Sequence, residues 1–286
     1  MSRRVLVPYD NSEQAQYALD HALAVFDAAE IVLLHVIKPL EDETGVAEHD
    51  SGYRQQLETA ERTLEGVCEW YDDPERERIE TVVRYGRPIR EILTFATEER
   101  IDHIVIGSRG RDGTARLLLG SVAETAVRRS PVPVTVVRNP TEEFDPERVL
   151  VPFDASTHAE GALRYALEQF PGAKVTALYV SSPPMGGVES AERLLGALSD
   201  WDESHDTEVE SVLGVATDLA DEYDREIMTT SVDGDPADRI VEWTTERETD
   251  HVVLGSAGRD GVARLLLGSV AETVVRRSPT TITVAK

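Results

Sequence analysis

Short apolar runs alternate along the chain with longer stretches of helical spacing. Val5–Tyr9 is a continuous apolar run ahead of turn residues, the pattern of a strand buried on both faces. Ser12–Asp27 carries Ala15, Ala18, Leu19, Ala22 and Leu23 at helical intervals, with Ser12 placed as the N-cap. Ile31–Ile37 is a second strand, Leu57–Tyr71 a second helix, and Arg78–Tyr85 a third strand ending at Gly86. Pro88 stands where a first-turn proline is favoured and opens a helix over Ile89–Glu99. Ile101–Ile106 is a fourth strand, Ser121–Arg129 the last helix and Pro133–Val137 the last strand. Strands alternating with helices predict an α/β fold: a parallel sheet covered on both faces and joined by right-handed crossovers.

The whole pattern then repeats. Arg4-Val-Leu-Val-Pro-Tyr-Asp10 matches Arg148-Val-Leu-Val-Pro-Phe-Asp154 at an offset of 144, and from Thr81/Thr229 onward the offset is 148. Gly86-Arg-Pro88 returns as Gly234-Asp-Pro236. This predicts two domains in tandem, 1–140 and 146–286, with residues 139–146 as linker. The poorly matched stretches 38–52 and 181–209 are acidic or rich in Pro and Gly, and read as mobile loops with a short helix at Ser190–Leu198.

The candidate chemistry sits after the fourth strand of each copy. Gly107-Ser-Arg-Gly110 is followed by nine residues and Gly120-Ser121, and Gly255-Ser-Ala-Gly258 by nine residues and Gly268-Ser269. Between 107–131 and 255–279, 22 of 25 positions are identical. Glycines ahead of a helix N-terminus let backbone N–H groups approach an anion closely, which is how phosphates are held. Ser121-Val-Ala-Glu124 and Ser269-Val-Ala-Glu272 also have capping-box spacing, so Ser121 and Ser269 have a structural alternative. Asp10 and Asp154 follow strand one, where a ligand role and a turn role both stand, and Ser156 repeats the N-cap of Ser12. Arg111 and Arg259, and Arg116 and Arg264, recur in both loops as phosphate-neutralising or simply solvated arginines, whereas Arg109 is replaced by Ala257.

A strand, Pro-x-Asp-x-Ser, a helix, then Gly-x2-Gly-x9-Gly-Ser after strand four and a Pro-x-x-Val strand: this resembles the universal stress protein family, over nearly the whole chain and as two fused domains. The resemblance implies a doubly wound, Rossmann-like five-stranded parallel sheet of order 3-2-1-4-5 in each half. It implies ATP at the ends of strands one, two and four, with Mg2+ or Mn2+ on the phosphates. Asp10 and Asp154 then take the ribose, and Val36 and Val180 meet the adenine edge through the backbone. Gly107, Gly110, Gly120, Ser121 and Val122 hold the phosphates, as do Gly255, Gly258, Gly268, Ser269 and Val270. Pairing of domains through their last strands is also implied, either within this chain or in a homodimer.

Composition narrows the class. The formal net charge is −25, spread over both halves, and only Lys38, Lys174 and Lys286 are lysines among 29 basic residues. This resembles the composition of cytoplasmic proteins from salt-loving organisms, where a Debye length of roughly 3 Å at 1 M salt screens self-repulsion. An acidic surface argues against a nucleic-acid partner, and the apolar runs are strand-sized, which argues against a membrane span. Lone Cys68 and the lack of a secretory pattern fit a reducing cytoplasm. The motif lacks the P-loop lysine, the seven histidines form no metal set, and no Ser-His-Asp set recurs in both copies. The expectation is an ATP-binding stress-response regulator or sensor with an unidentified protein partner. The alternatives are a slow ATPase or self-phosphorylating protein, and an interaction module with purely structural glycine loops. His103 and His251 are expected to make local hydrogen bonds.

Overall fold

The computed structural model describes residues 3–39, 50–110, 119–138, 146–182, 191–256 and 267–286. The chain divides into two compact units, Met1–Phe144 and Asp145–Lys286. The first runs β1 (Arg4–Pro8), α1 (Glu13–Val25), β2 (Glu30–Ile37), α2 (Asp50–Cys68), α3 (Asp73–Arg76), β3 (Ile79–Tyr85), α4 (Pro88–Glu98), β4 (His103–Gly107), α5 (Ser121–Arg129) and β5 (Val134–Val137). Its strands lie in the order β3-β2-β1-β4-β5, every pair parallel.

The second unit runs β6 (Arg148–Pro152), α6 (Thr157–Gln169), β7 (Lys174–Ser181), α7 (Ala191–Asp221), β8 (Met228–Asp233), α8 (Pro236–Glu246), β9 (His251–Gly255), α9 (Ser269–Arg277) and β10 (Thr281–Ala285). Its order is β8-β7-β6-β9-β10, again all parallel. Each unit therefore has the 3-2-1-4-5 arrangement. The chain reverses direction across the sheet between strands one and four, which opens a crevice at the carboxyl ends of the strands.

Sequence periodicity explains the packing. In the first unit Val5, Val7 and Tyr9 point to one face and meet Ala15, Ala18, Leu19 and Ala22 of α1 and Leu64 and Val67 of α2. Small alanines on α1 bring the helix axis close to the sheet. Each fully buried Val or Leu side chain contributes about 1.5–3 kcal/mol. The ends of α1 and α6 are tied down by arginines from different sequence positions. Arg78 donates to Leu23 O at 3.4 Å and Phe26 O at 2.5 Å, and Arg225 to Leu167 O at 3.1 Å and Phe170 O at 3.3 Å. A cation at a helix C-terminus meets carbonyls that have no intrahelical donor.

His103 and His251 are buried and do make local bonds, each through Nε2 to the hydroxyl of Thr135 or Thr283 at 2.8 Å. His21, also buried, has its pKa lowered by burial to about 4.

The loops expected at 38–52 and 181–209 are shorter than that. Helix α2 starts at Asp50, and the short helix expected at Ser190–Leu198 is the first part of the 31-residue α7. Val212, Ala216, Leu219 and Ala220 line the buried stripe of α7, and about two turns before Val212 the inward position is the polar His205. That polar position, within an acidic run, broke the hydrophobic period on which the expectation rested. Glutamate is compatible with a helix when it faces water. The one-turn α3 was not anticipated. Among the described residues, no helix is long and apolar enough to cross a membrane.

Candidate functional site

The register places the carboxyl ends of β1, β2 and β4 side by side. Pro8 pairs with Leu34, so Asp10 is level with Val36, and Leu6 pairs with Ile104, which brings Gly107 beside the end of β1. Asp10 divides its oxygens between two tasks. Oδ1 accepts from the Ser12 N–H at 3.1 Å and the Ser12 hydroxyl at 2.6 Å, while Ser12 Oγ accepts from Ala15 N to cap α1. Oδ2 lies against Gly110: a Cβ there would stand 2.5 Å from it. The turn role and a ligand role for Asp10 are thus compatible. Asp154 repeats the turn, accepting from Ser156 N at 3.0 Å, and Ser156 caps α6.

The glycines are not equivalent. A Cβ on Gly107 would meet the backbone oxygen of Gln14 at 2.5 Å, and one on Gly255 the backbone oxygen of His158 at 2.7 Å. These two allow the first turns of α1 and α6 to pack on strands β4 and β9, whatever else they do. Gly110 instead leaves room beside the Asp10 carboxylate. Gly120 closes the loop: its N–H donates to Ser108 O at 2.8 Å, and a Cβ would meet Arg109 Cα at 3.3 Å. Gly268 repeats this, donating to Ser256 O at 2.9 Å.

The capping boxes are not formed. The N-caps of α5 and α9 are Gly120 and Gly268, with no side-chain cap bond, and Ser121 and Ser269 are the first helical residues. The Ser-x-x-Glu spacing is one residue out of phase, because the bond from Gly120 N back to Ser108 O fixes where the helix begins. The first intrahelical bonds are Glu124 N to Gly120 O and Glu272 N to Gly268 O. The N–H groups of Ser121, Val122 and Ala123 precede them and have no acceptor inside the helix. Ser121 and Ser269 are exposed, and Val122 and Val270 half-buried. This arrangement suits an anion: N–H groups at the helix start and the positive end of a helix dipole. Val36 and Val180 are half-buried at the same end of β2 and β7.

Gly258, Arg111, Arg116, Arg259, Arg264 and most of the linker lie outside the described residues. Among the described residues, no three metal-binding side chains converge.

Two features were missed at the sequence level. Arg138, directly after β5, is buried, and its pKa is lowered first by burial and then by the charge of Arg109. Lys286 follows β10 at the offset of 148, and burial lowers its pKa too. The repeat of a cation at this place was the available signal. The second is a polar cluster in the second unit alone. The Ser181 hydroxyl and His205 Nδ1 are 3.1 Å apart, and His205 Nε2 is 3.5 Å from Asp233. The first copy has Ile37 and Tyr85 where Ser181 and Asp233 stand, so a search for sets present in both copies passes over it. Ser181 is buried at 2% exposure, and the cluster joins α7 to the ends of β7 and β8.

The universal stress protein family profile matches residues 1–138 and 146–286. A universal stress protein of Methanocaldococcus jannaschii is 32% identical over 156 residues, covering 48% of this chain and 96% of that protein. The crystal structure of a universal stress protein from Archaeoglobus fulgidus is similar over 100% of this chain and 99% of its own, with 27% identity and a TM-score of 0.73. A universal stress protein solved in complex with cAMP is 26% identical, covering 50% of this chain and 98% of its own, with a TM-score of 0.37.

Proposed function

Because the chain belongs to the universal stress protein family and carries the full glycine loop in both halves, we propose that each half binds one ATP and that occupancy regulates contact with a protein partner. The observation that carries this reading is the meeting of Asp10 Oδ2, Gly110 and the first turn of α5 at the carboxyl edge of the sheet. In the first half Asp10 takes the ribose hydroxyls, the Val36 backbone the adenine edge, and the Gly110–Val122 loop the phosphates. Asp154, Val180, Gly255, Gly258, Gly268, Ser269 and Val270 do the same in the second half. A divalent ion, Mg2+ or Mn2+, enters on the phosphates and keeps several waters. Without a P-loop lysine or an acid–base pair common to both halves, the chain is a binding regulator with little or no turnover.

A second reading, an interaction module with structural loops, is favoured by the packing of Gly107 and Gly255 against α1 and α6. The variants Ser121→Glu and Ser269→Glu separate the two. Both serines are exposed at the first helical position, where a carboxylate suits the helix dipole yet repels phosphate. The doubly substituted protein should melt no lower than the parent without nucleotide. It should lose the ATP-dependent stabilisation, which is about 2.7 kcal/mol at a hundredfold excess over Kd. A parent that gains no stability from ATP overturns the nucleotide reading, and a double variant that takes up ATP like the parent overturns the placing of the phosphates at the first turns of α5 and α9.

A further inference from the structure

Arg109 and Arg138 come together at one end of the first sheet. Gly107 pairs with Val137, and Ser108 N donates to Val137 O at 2.9 Å, so Arg138 stands level with Ser108 and beside the residue preceding Gly110. The Arg109 backbone rests against Gly120, the N-cap of α5. Val137 packs in the cluster formed with α1, and Arg138 follows it directly at the end of β5. Two arginines, Arg109 and Arg138, therefore stand beside Ser108, whose carbonyl accepts from Gly120 at the α5 N-cap. One of them, Arg138, is only 8% exposed, in a protein of net charge −25.

The second half differs at both positions. Gly255 pairs with Ala285, which puts Lys286 level with Ser256, and the sequence has Ala257 in place of Arg109. The other changes between the duplicated loops, Thr114/Val262 and Ala126/Val274, alter no charge. Arginine and lysine are not interchangeable here: a guanidinium presents a planar fork of donors to phosphate oxygens, and an ammonium only a point charge.

We infer that Arg109 and Arg138 make the first half selective for the more highly charged nucleotide, a triphosphate over a monophosphate, while the second half, with Ala257 and Lys286, discriminates less. The inference rests on the nucleotide reading above. Each added phosphate charge gains from both arginines, whereas the nucleoside end of the ligand, at Asp10 and Val36, is unaffected by them. Arg138 is buried and little screened by salt, so part of the selectivity persists in molar KCl, while the share from the more accessible Arg109 declines.

The test is calorimetric titration of ATP, ADP and AMP, each with Mg2+, into the full chain carrying Ser269→Glu, which leaves the first half open. The same titrations follow on that chain with Arg109→Ala and Arg138→Lys added. Both substitutions install what the second copy already carries at these places, so the fold accommodates them. The parent should prefer ATP to AMP by on the order of tenfold or more. The added pair should weaken ATP by about that factor while changing AMP by less than about threefold. ATP and AMP weakened equally, or neither weakened, overturns the selectivity. No nucleotide bound by the chain without any substitution overturns the nucleotide reading itself, a different outcome from loss of preference.

Discussion

Ala155 has φ +58°, in the left-handed region, one residue after Asp154 in the turn that leads into α6. Its counterpart Asn11 has φ 63°. The turn is forced by the Asx bond from Ser156 N to Asp154 and by the cap that Ser156 gives to Ala159, so Ala155 holds a conformation costly for a side chain with a Cβ and no polar end. Asparagine visits this region readily. Ala155→Asn should stabilise the second unit by ~1 kcal/mol, read as a higher urea midpoint with unchanged slope. A lowered midpoint would mean that the turn is held by something other than this geometry. The N-caps Ser12 and Ser156 were legible because a serine before an apolar helical period has few other readings. Ser121 was not: its capping-box spacing is correct in letters, but a tertiary bond from Gly120 to Ser108 sets the helix start one residue earlier. Arg138 escaped notice because a lone arginine after a strand has no local pattern.

At the scale of elements, strand–helix alternation was readable and strand order was not. Hydrophobic period states which residues are buried, not which strands adjoin, and only the family resemblance supplied 3-2-1-4-5. The full length of α7 is not legible in the sequence because its stripe is interrupted by His205, which faces Ser181 rather than apolar core. The glycine that ends β4 has an element-level role that its motif conceals. Gly107→Ala would drive a Cβ into the α1 backbone at Gln14, an overpacking worth ~1–3 kcal/mol of destabilisation. Gly161→Ala, within α6 and with nothing within 4 Å of the added carbon, should move stability the other way by roughly 0.5–1 kcal/mol. Denaturant titration of both variants checks the pair. A neutral Gly107→Ala would show that α1 can retreat from β4 without loss, and would return Gly107 to a purely ligand-binding explanation.

At the scale of the whole molecule, two units repeat one design with nearly the same loop sequence, in a chain of net charge −25. In concentrated salt the carboxylates of so acidic a chain would be screened from one another. Both halves retain every glycine and serine of the motif. Each described N-cap of α5 and α9 is closed by the same backbone bond. The motif therefore occurs twice, and the halves differ in charge at Arg109 against Ala257 within the loop and at Arg138 against Lys286 after the last strand, and in the Ser181–His205–Asp233 cluster of the second unit. The decisive measurement is calorimetric titration of Mg-ATP into nucleotide-free protein in molar KCl, read for stoichiometry. Two nucleotides per chain is the expected result. None at saturation would reduce both loops to scaffolding and contradict the reading of each half as a nucleotide-binding unit.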